Sequence, residues 1–295
     1  MTEPQGRSPV LAKARIYFEM IKFEHSVFAL PFAYMGLFLA ERGMPRGRLF
    51  FWITVAMVSF RSMAMGANRL IDAAIDARNP RTSGRALPAK KLSRPFVWAL
   101  TLMFFAVFEV SAWILGPLCF KLSVFPLLLA WLYPVMKRFT WLSHALLGII
   151  LGIAPYGSWI AARGDFSWVP GLLMIGITAW VAGFDIIYAL QDVDFDRREG
   201  LFSFPSRFGL EKSLRVTAWL HGVTVVAWAA MGWQAGLGWI YASGLTAVVI
   251  LLVREHWLIK SFGLKKIQEA FFTLNAIISL GLFAATLTDL WIRRS

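Results

Sequence analysis

The sequence predicts an all-α integral membrane protein, and three observations carry that prediction. The 295 residues are 58% hydrophobic and only 16% charged, with a mean hydropathy of +0.61; soluble domains lie nearer 45–50% apolar and about 25% charged. The apolar residues fall into nine runs of roughly the length needed to cross a bilayer as a helix. The charges gather between those runs. Such a surplus of apolar side chains needs lipid to cover it. The 15% aromatic content excludes disorder, and the single Cys119 excludes a disulfide scaffold. The four scattered histidines (His25, His144, His221 and His256) lack the spacing of a zinc site and read as interfacial or packing residues.

The polar first ten residues have no apolar core of their own, so the reading contains no cleavable signal peptide. Spanning helices are expected over residues 26–40, 49–67, 96–115, 122–135, 141–162, 169–190, 214–233, 240–253 and 270–292. The first, fourth and eighth are short, and the first has an amphipathic lead-in over 16–23 that carries Lys22. Most of the fourteen tryptophans sit near run ends, as in an interfacial aromatic belt. The whole chain, 1–295, reads as one domain.

The net charge of +13 fits either a nucleic-acid surface or the basic flanks of membrane helices. No soluble basic face is visible, so nucleic acid is excluded as a partner and lipid is expected. Of the 30 Lys and Arg, 22 fall in connections on the side of the N-terminus, 7 on the other side, and Arg61 inside the second helix. The positive-inside rule then places the N-terminus and the two longest connections, 70–95 and 191–213, in the cytoplasm.

Both of those connections open with acids. Asn68, Asp72 and Asp76 are spaced i, i+4, i+8 and share one face if the second helix continues past its apolar run. Asp185, Tyr188, Asp192 and Asp196 are spaced i, i+3, i+7, i+11, again one helical face, with Asp194 turned away into solvent. Like charges stacked at i,i+4 destabilise a helix, so a cation is expected to offset them. One reading is acids paired with nearby arginines. The other is Mg²⁺, which binds through one or two carboxylates together with substrate phosphates. Two such faces on one side of the membrane favour the metal and a diphosphate.

Asn68-x-x-x-Asp72-x-x-x-Asp76, followed by Arg81-Thr82-x-Gly84-Arg85-x-Leu87-Pro88, resembles the first signature of the UbiA superfamily of intramembrane aromatic prenyltransferases. Asp185-x-x-Tyr188-x-x-x-Asp192-x-x-x-Asp196, with Gly200, Ser203 and Arg207-Phe208-Gly209, resembles the second, and Tyr133-Pro134-x-x-Lys137-Arg138-x-Thr140 is similar to the pattern after helix four. More narrowly, the chain is similar to the 4-hydroxybenzoate polyprenyltransferase branch and its relatives in futalosine-route menaquinone synthesis. One departure is Arg69, where many members carry Asp.

The resemblance implies nine helices around a central cavity for prenyl donor and acceptor, in a bacterial-type inner membrane with the site facing the cytoplasm. It implies Mg²⁺ held by Asn68, Asp72, Asp76, Asp192 and Asp196, and diphosphate contacts from Lys137, Arg138, Arg81 and Arg85. The polyprenyl cation would then be captured by the ring carbon of an aromatic acid. The acceptor the resemblance implies is 4-hydroxybenzoate, with 1,4-dihydroxy-6-naphthoate as the alternative. Phe28, Tyr133 and Tyr188 offer aromatic faces to the cation. Asp185, two turns deeper than Asp192, is expected to orient or deprotonate the acceptor hydroxyl. Arg61 shares the face of Asn68 and is expected to meet diphosphate or the acceptor carboxylate, with a structural ion pair as its alternative. Glu109 reads as structural, and His25 is the one histidine placed near the head-group site. A reading from another class, a cation-coupled transporter, would favour inverted repeats and midplane acids; here both motifs run in the same sense at helix ends.

Overall fold

The computed structural model describes residues 9–22 and 26–293, with side chains described from residue 11 onward and not for 23–29; His25 and the side chain of Phe28 fall outside the described residues. Eleven α-helices follow in chain order among the described residues, with no strand. They are α1 (Pro9–Met20), α2 (Ser26–Glu41), α3 (Gly47–Arg78), α4 (Arg94–Leu115), α5 (Pro117–Met136), α6 (Ser143–Arg163), α7 (Trp168–Ala189), α8 (Val193–Arg198), α9 (Phe204–Gln234), α10 (Trp239–Phe262) and α11 (Asn275–Ile292). Each of the nine apolar runs falls on a helix. Eight helical segments are long and apolar enough to cross a membrane, and α2 supplies a shorter apolar helix. This is a multi-pass membrane protein.

The lead-in is a separate helix, α1, whose Tyr17 and Met20, with Ile21 just beyond it, are buried against residues of α3 and α4. The fourth and eighth runs are not short helices: α5 has 20 residues and α10 has 24. Hydropathy drops where Arg254, Glu255 and Lys260 enter α10, but backbone hydrogen bonding does not stop there.

In lipid there is no hydrophobic drive between helices, so close contact depends on small residues and interhelical hydrogen bonds. A Cβ at Gly148 of α6 would collide with the Thr178 carbonyl of α7, and one at Gly36 of α2 with the Pro155 carbonyl of α6. Helix α7 packs most extensively, against α6 and α9. Thr217 and Thr224 of α9 donate to the carbonyls of Gly183 and Gly176 at 3.3 and 3.1 Å. Around this seam lie Phe32, Trp180 and Trp228, the heart of the largest buried apolar cluster.

Two backbone features place functional groups. Helix α3 runs 32 residues, carrying Asn68, Asp72 and Asp76 on a single unbroken helix as expected. The second motif departs from the expectation. Helix α7 ends at Ala189, Leu190–Asp192 form a 3₁₀ turn, and α8 starts at Val193. The tighter winding of a 3₁₀ turn rotates Asp192 and Asp196 relative to Asp185, so the three acids do not share one continuous α-helical face. Asp194 is exposed, as expected.

Candidate active site

A cavity of about 1000 Å³ runs through the helices. Its lining includes all twelve site residues read from the sequence: Arg61, Asn68, Asp72, Asp76, Arg81, Arg85, Lys137, Arg138, Asp185, Tyr188, Asp192 and Asp196. The charged residues of both motifs meet there. The rest of the wall is chiefly apolar, including Ile53, Met57, Phe60, Leu122, Phe125, Ile153 and Phe166. Glu109 is not part of this lining.

Three of the five site acids, Asp72, Asp76 and Asp192, are engaged by arginines of the chain itself. Arg81 Nε donates to Asp192 Oδ1 at 2.9 Å, its Nη2 donates to Oδ2, and Asn79 Nδ2 adds a third bond to Asp192 at 3.2 Å. Arg85 Nη1 donates to both oxygens of Asp76 at 2.7 and 2.8 Å. Arg138 lies 3.5 Å from Asp72, which also accepts from Asn68 Nδ2 at 3.1 Å. Arg69, the departure from the motif, donates to Asn68 Oδ1 at 3.0 Å and lines the same cavity. Burial pulls the Arg81 guanidinium down, but the hydrogen bond and charge of Asp192 hold it above its ordinary value.

The connection between α3 and α4 carries Arg81 and Arg85 to these acids. Asn79 caps α3 by donating its N–H to the Ile75 carbonyl, and its Oδ1 accepts from Arg81 N at 2.9 Å in an Asx turn. Thr82 Oγ1 donates to the Asp76 carbonyl at 3.1 Å, folding the chain back over the end of the helix. Arg81 thereby crosses to α7, where its Nη1 also donates to Tyr188 OH at 3.3 Å and its guanidinium lies 5.5 Å from the Tyr188 ring centroid.

The donor set fits Mg²⁺. All the acids are hard oxygen ligands, and Asp196, 2% exposed, keeps Oδ2 buried without a hydrogen-bond partner. Among the described residues no three or more His, Cys, Asp or Glu side chains converge as a self-sufficient metal site. An ion here would complete its shell with phosphate oxygens and water, the habit of Mg²⁺ rather than of a closed protein cage.

Deeper in the cavity, Asp185 is held by a residue the sequence reading took for packing. His144, 2% exposed at the start of α6, lies with Nδ1 2.7 Å from Asp185 Oδ2. The lining of the same cavity includes Tyr188, whose ring centroid is 4.1 Å from that of Phe271, and Asn275 beyond the π-helical turn Glu269–Leu274. Neither Phe271 nor Asn275 carries a motif that a single sequence could show. The profile of the UbiA prenyltransferase family matches residues 29–277.

The chain belongs to the UbiA prenyltransferase family. This UbiA-family chain is 27% identical over 283 residues to the 4-hydroxybenzoate octaprenyltransferase of Vibrio campbellii, covering 92% of the chain and 98% of the relative. It is 31% identical over 225 residues to the enzyme of the same name from Tolumonas auensis, covering 76% and 78%. The apo structure of a UbiA homolog from Aeropyrum pernix K1 superposes with a TM-score of 0.83 at 32% identity, covering 90% of this chain and 98% of that one. A UbiA homolog from Archaeoglobus fulgidus bound to GPP and Mg²⁺ shares the fold, with a TM-score of 0.70 at 17% identity over 92% and 99% of the two chains. The expectation of a prenyl-transferring membrane enzyme is met.

Proposed function

We propose that this chain transfers a polyprenyl group from polyprenyl diphosphate to a ring carbon of 4-hydroxybenzoate, ortho to the hydroxyl, in quinone biosynthesis. The observation that carries the reading is the meeting of both acidic motifs with Lys137, Arg81, Arg85 and Arg138 in one otherwise apolar cavity. An anionic head on a hydrocarbon tail is the chemistry that such a cavity accepts. The names of the curated relatives support the acceptor. The positive-inside bias supports a site on the cytoplasmic face of a bacterial inner membrane. Family membership favours this reading over a cation-coupled transporter.

Asn68, Asp72, Asp76, Asp192 and Asp196 would hold Mg²⁺, which when bound would supply charge neutralisation for the diphosphate. Lys137, Arg81, Arg85 and Arg138 bind its oxygens. The C–O bond of the donor breaks with its electron pair leaving on diphosphate, and Tyr133 and Tyr188 present ring faces to the allylic cation. Arg61 pairs with the acceptor carboxylate, while Asp185 orients the hydroxyl and takes up its proton. The ring forms the new C–C bond and regains aromaticity by losing the proton of the attacked carbon to the released diphosphate, and the phenolate so formed takes back the hydroxyl proton from Asp185. The apolar walls hold the tail and keep out water that would quench the cation.

The test is incorporation of a labelled prenyl group by the purified protein with Mg²⁺, offered 4-hydroxybenzoate and 1,4-dihydroxy-6-naphthoate in turn. Labelled prenyl 4-hydroxybenzoate supports the proposal. Turnover of the naphthoate alone moves the enzyme to menaquinone synthesis, and turnover of neither overturns the aromatic-acid reading.

A further inference from the structure

Asp185 is not a free carboxylate at the cavity wall. His144 Nδ1 lies 2.7 Å from its Oδ2, while the Phe204 backbone N–H meets the other ring nitrogen, Nε2, at 3.3 Å. An amide N–H only donates, so Nε2 presents its lone pair and the ring proton sits on Nδ1, aimed at Asp185. His144 is thereby fixed in one tautomer, neutral and fully buried, with both nitrogens used.

Its second partner ties Asp185 to the loop behind the second motif. That loop leaves Asp196, whose carbonyl accepts from Leu201 N at 2.8 Å, and Phe202 N donates to the Lys137 carbonyl at 2.6 Å. Phe204 then starts α9, where Ser203 and Ser206 form a reciprocal capping box. The Phe204 ring packs against Trp141, with centroids 5.4 Å apart, three residues before His144. One short path therefore joins Asp196, the turn bearing Lys137, His144 and Asp185.

We propose that His144 is the positioning residue for Asp185. It pins one carboxylate oxygen, leaves the other for the acceptor hydroxyl, and makes the aim of Asp185 depend on the seating of the 199–204 loop beside the diphosphate site. This rests on the reading of Asp185 as the acceptor's base. Losing a hydrogen-bond partner that orients an acting group typically lowers activity about 10–100-fold.

The experiment compares His144→Leu, His144→Asn, Asp185→Asn and the double variant His144→Leu/Asp185→Asn. Assays use geranyl diphosphate, Mg²⁺ and whichever of the two acceptors the wild-type chain turns over. His144→Leu is expected to lower kcat about 10–100-fold and raise the acceptor KM, with the donor KM unchanged. His144→Asn, whose amide replaces the Nδ1 donor, is expected to recover most of the loss. The double variant should be no slower than Asp185→Asn. Wild-type kcat and acceptor KM in His144→Leu beside an inactive Asp185→Asn would overturn the role of His144 and leave that of Asp185 standing. A fully active Asp185→Asn would instead sink the underlying reading. If His144→Leu does not fold, His144→Asn decides: a donor KM raised as much as the acceptor KM marks a structural residue and overturns the proposal.

Discussion

Arg81→Ala separates two parts that one guanidinium plays. Arg81 is bonded to both oxygens of Asp192 and to Tyr188 OH, so it occupies a carboxylate assigned to Mg²⁺ while being assigned to diphosphate. Breaking a fully buried pair costs about 3–5 kcal/mol. Here the Arg81 side chain is 33% exposed and Asp192 keeps Asn79, so solvent screening reduces the pair to about 1–2 kcal/mol. If Arg81 competes with the metal for Asp192, its removal should lower the Mg²⁺ concentration giving half-maximal rate by about 5–30-fold, the same energy at 1.4 kcal/mol per tenfold. The donor loses a charge-assisted hydrogen bond worth about 1.5–3 kcal/mol, so its KM should rise about 10–100-fold. The assay is initial rate at saturating acceptor, titrating Mg²⁺ and geranyl diphosphate separately. The two constants must move in opposite directions. A Mg²⁺ requirement that rises, or a donor KM that stays put, would refute the reasoning.

Asp72→Ala and Asp192→Ala should each abolish transfer while the protein remains monodisperse in detergent, and EDTA should stop the wild type; full turnover in EDTA would remove the metal from the mechanism. Gly157 lines the cavity, and a Cβ there meets nothing within 4 Å, so Gly157→Phe should obstruct the apolar wall and slow long-chain donors at least about tenfold relative to geranyl diphosphate. Equal rates for both donors would mean the tail does not reach α6 at that point. In a Cys119→Ala background, Lys91→Cys and Arg207→Cys should resist an impermeant thiol reagent in intact cells and react after lysis, and labelling from outside would invert the topology.

The helices were legible because a bilayer leaves the backbone few alternatives and spanning runs are long. The acidic motifs were legible because their spacing repeats with the helical period. The unread parts depend on distance along the chain or on local winding. Asp185 and His144 are 41 residues apart, and Arg81 and Asp192 are 111; nothing local in either segment announces the partner. The helical period also assumed that α7 continues through Asp196, whereas the 3₁₀ turn at Leu190–Asp192 changes the winding without a Gly or Pro to signal it. The arginine-paired reading of the acids and the metal reading turn out to concern the same residues. The structure holds the first, and the proposed reaction calls on the second.

Three acids bonded to three arginines also bear on the order in which ligands arrive. A divalent ion alone would displace cations and leave them facing nothing, while diphosphate alone would find the same cations engaged. Together the two ligands satisfy both halves of every broken pair. Metal and donor should therefore bind with positive cooperativity, and by linkage each should tighten the other by the same factor. On the proposed function the site would act as a thermodynamic AND gate, nearly indifferent to free Mg²⁺ and to free diphosphate esters, and responsive to the complex of the two.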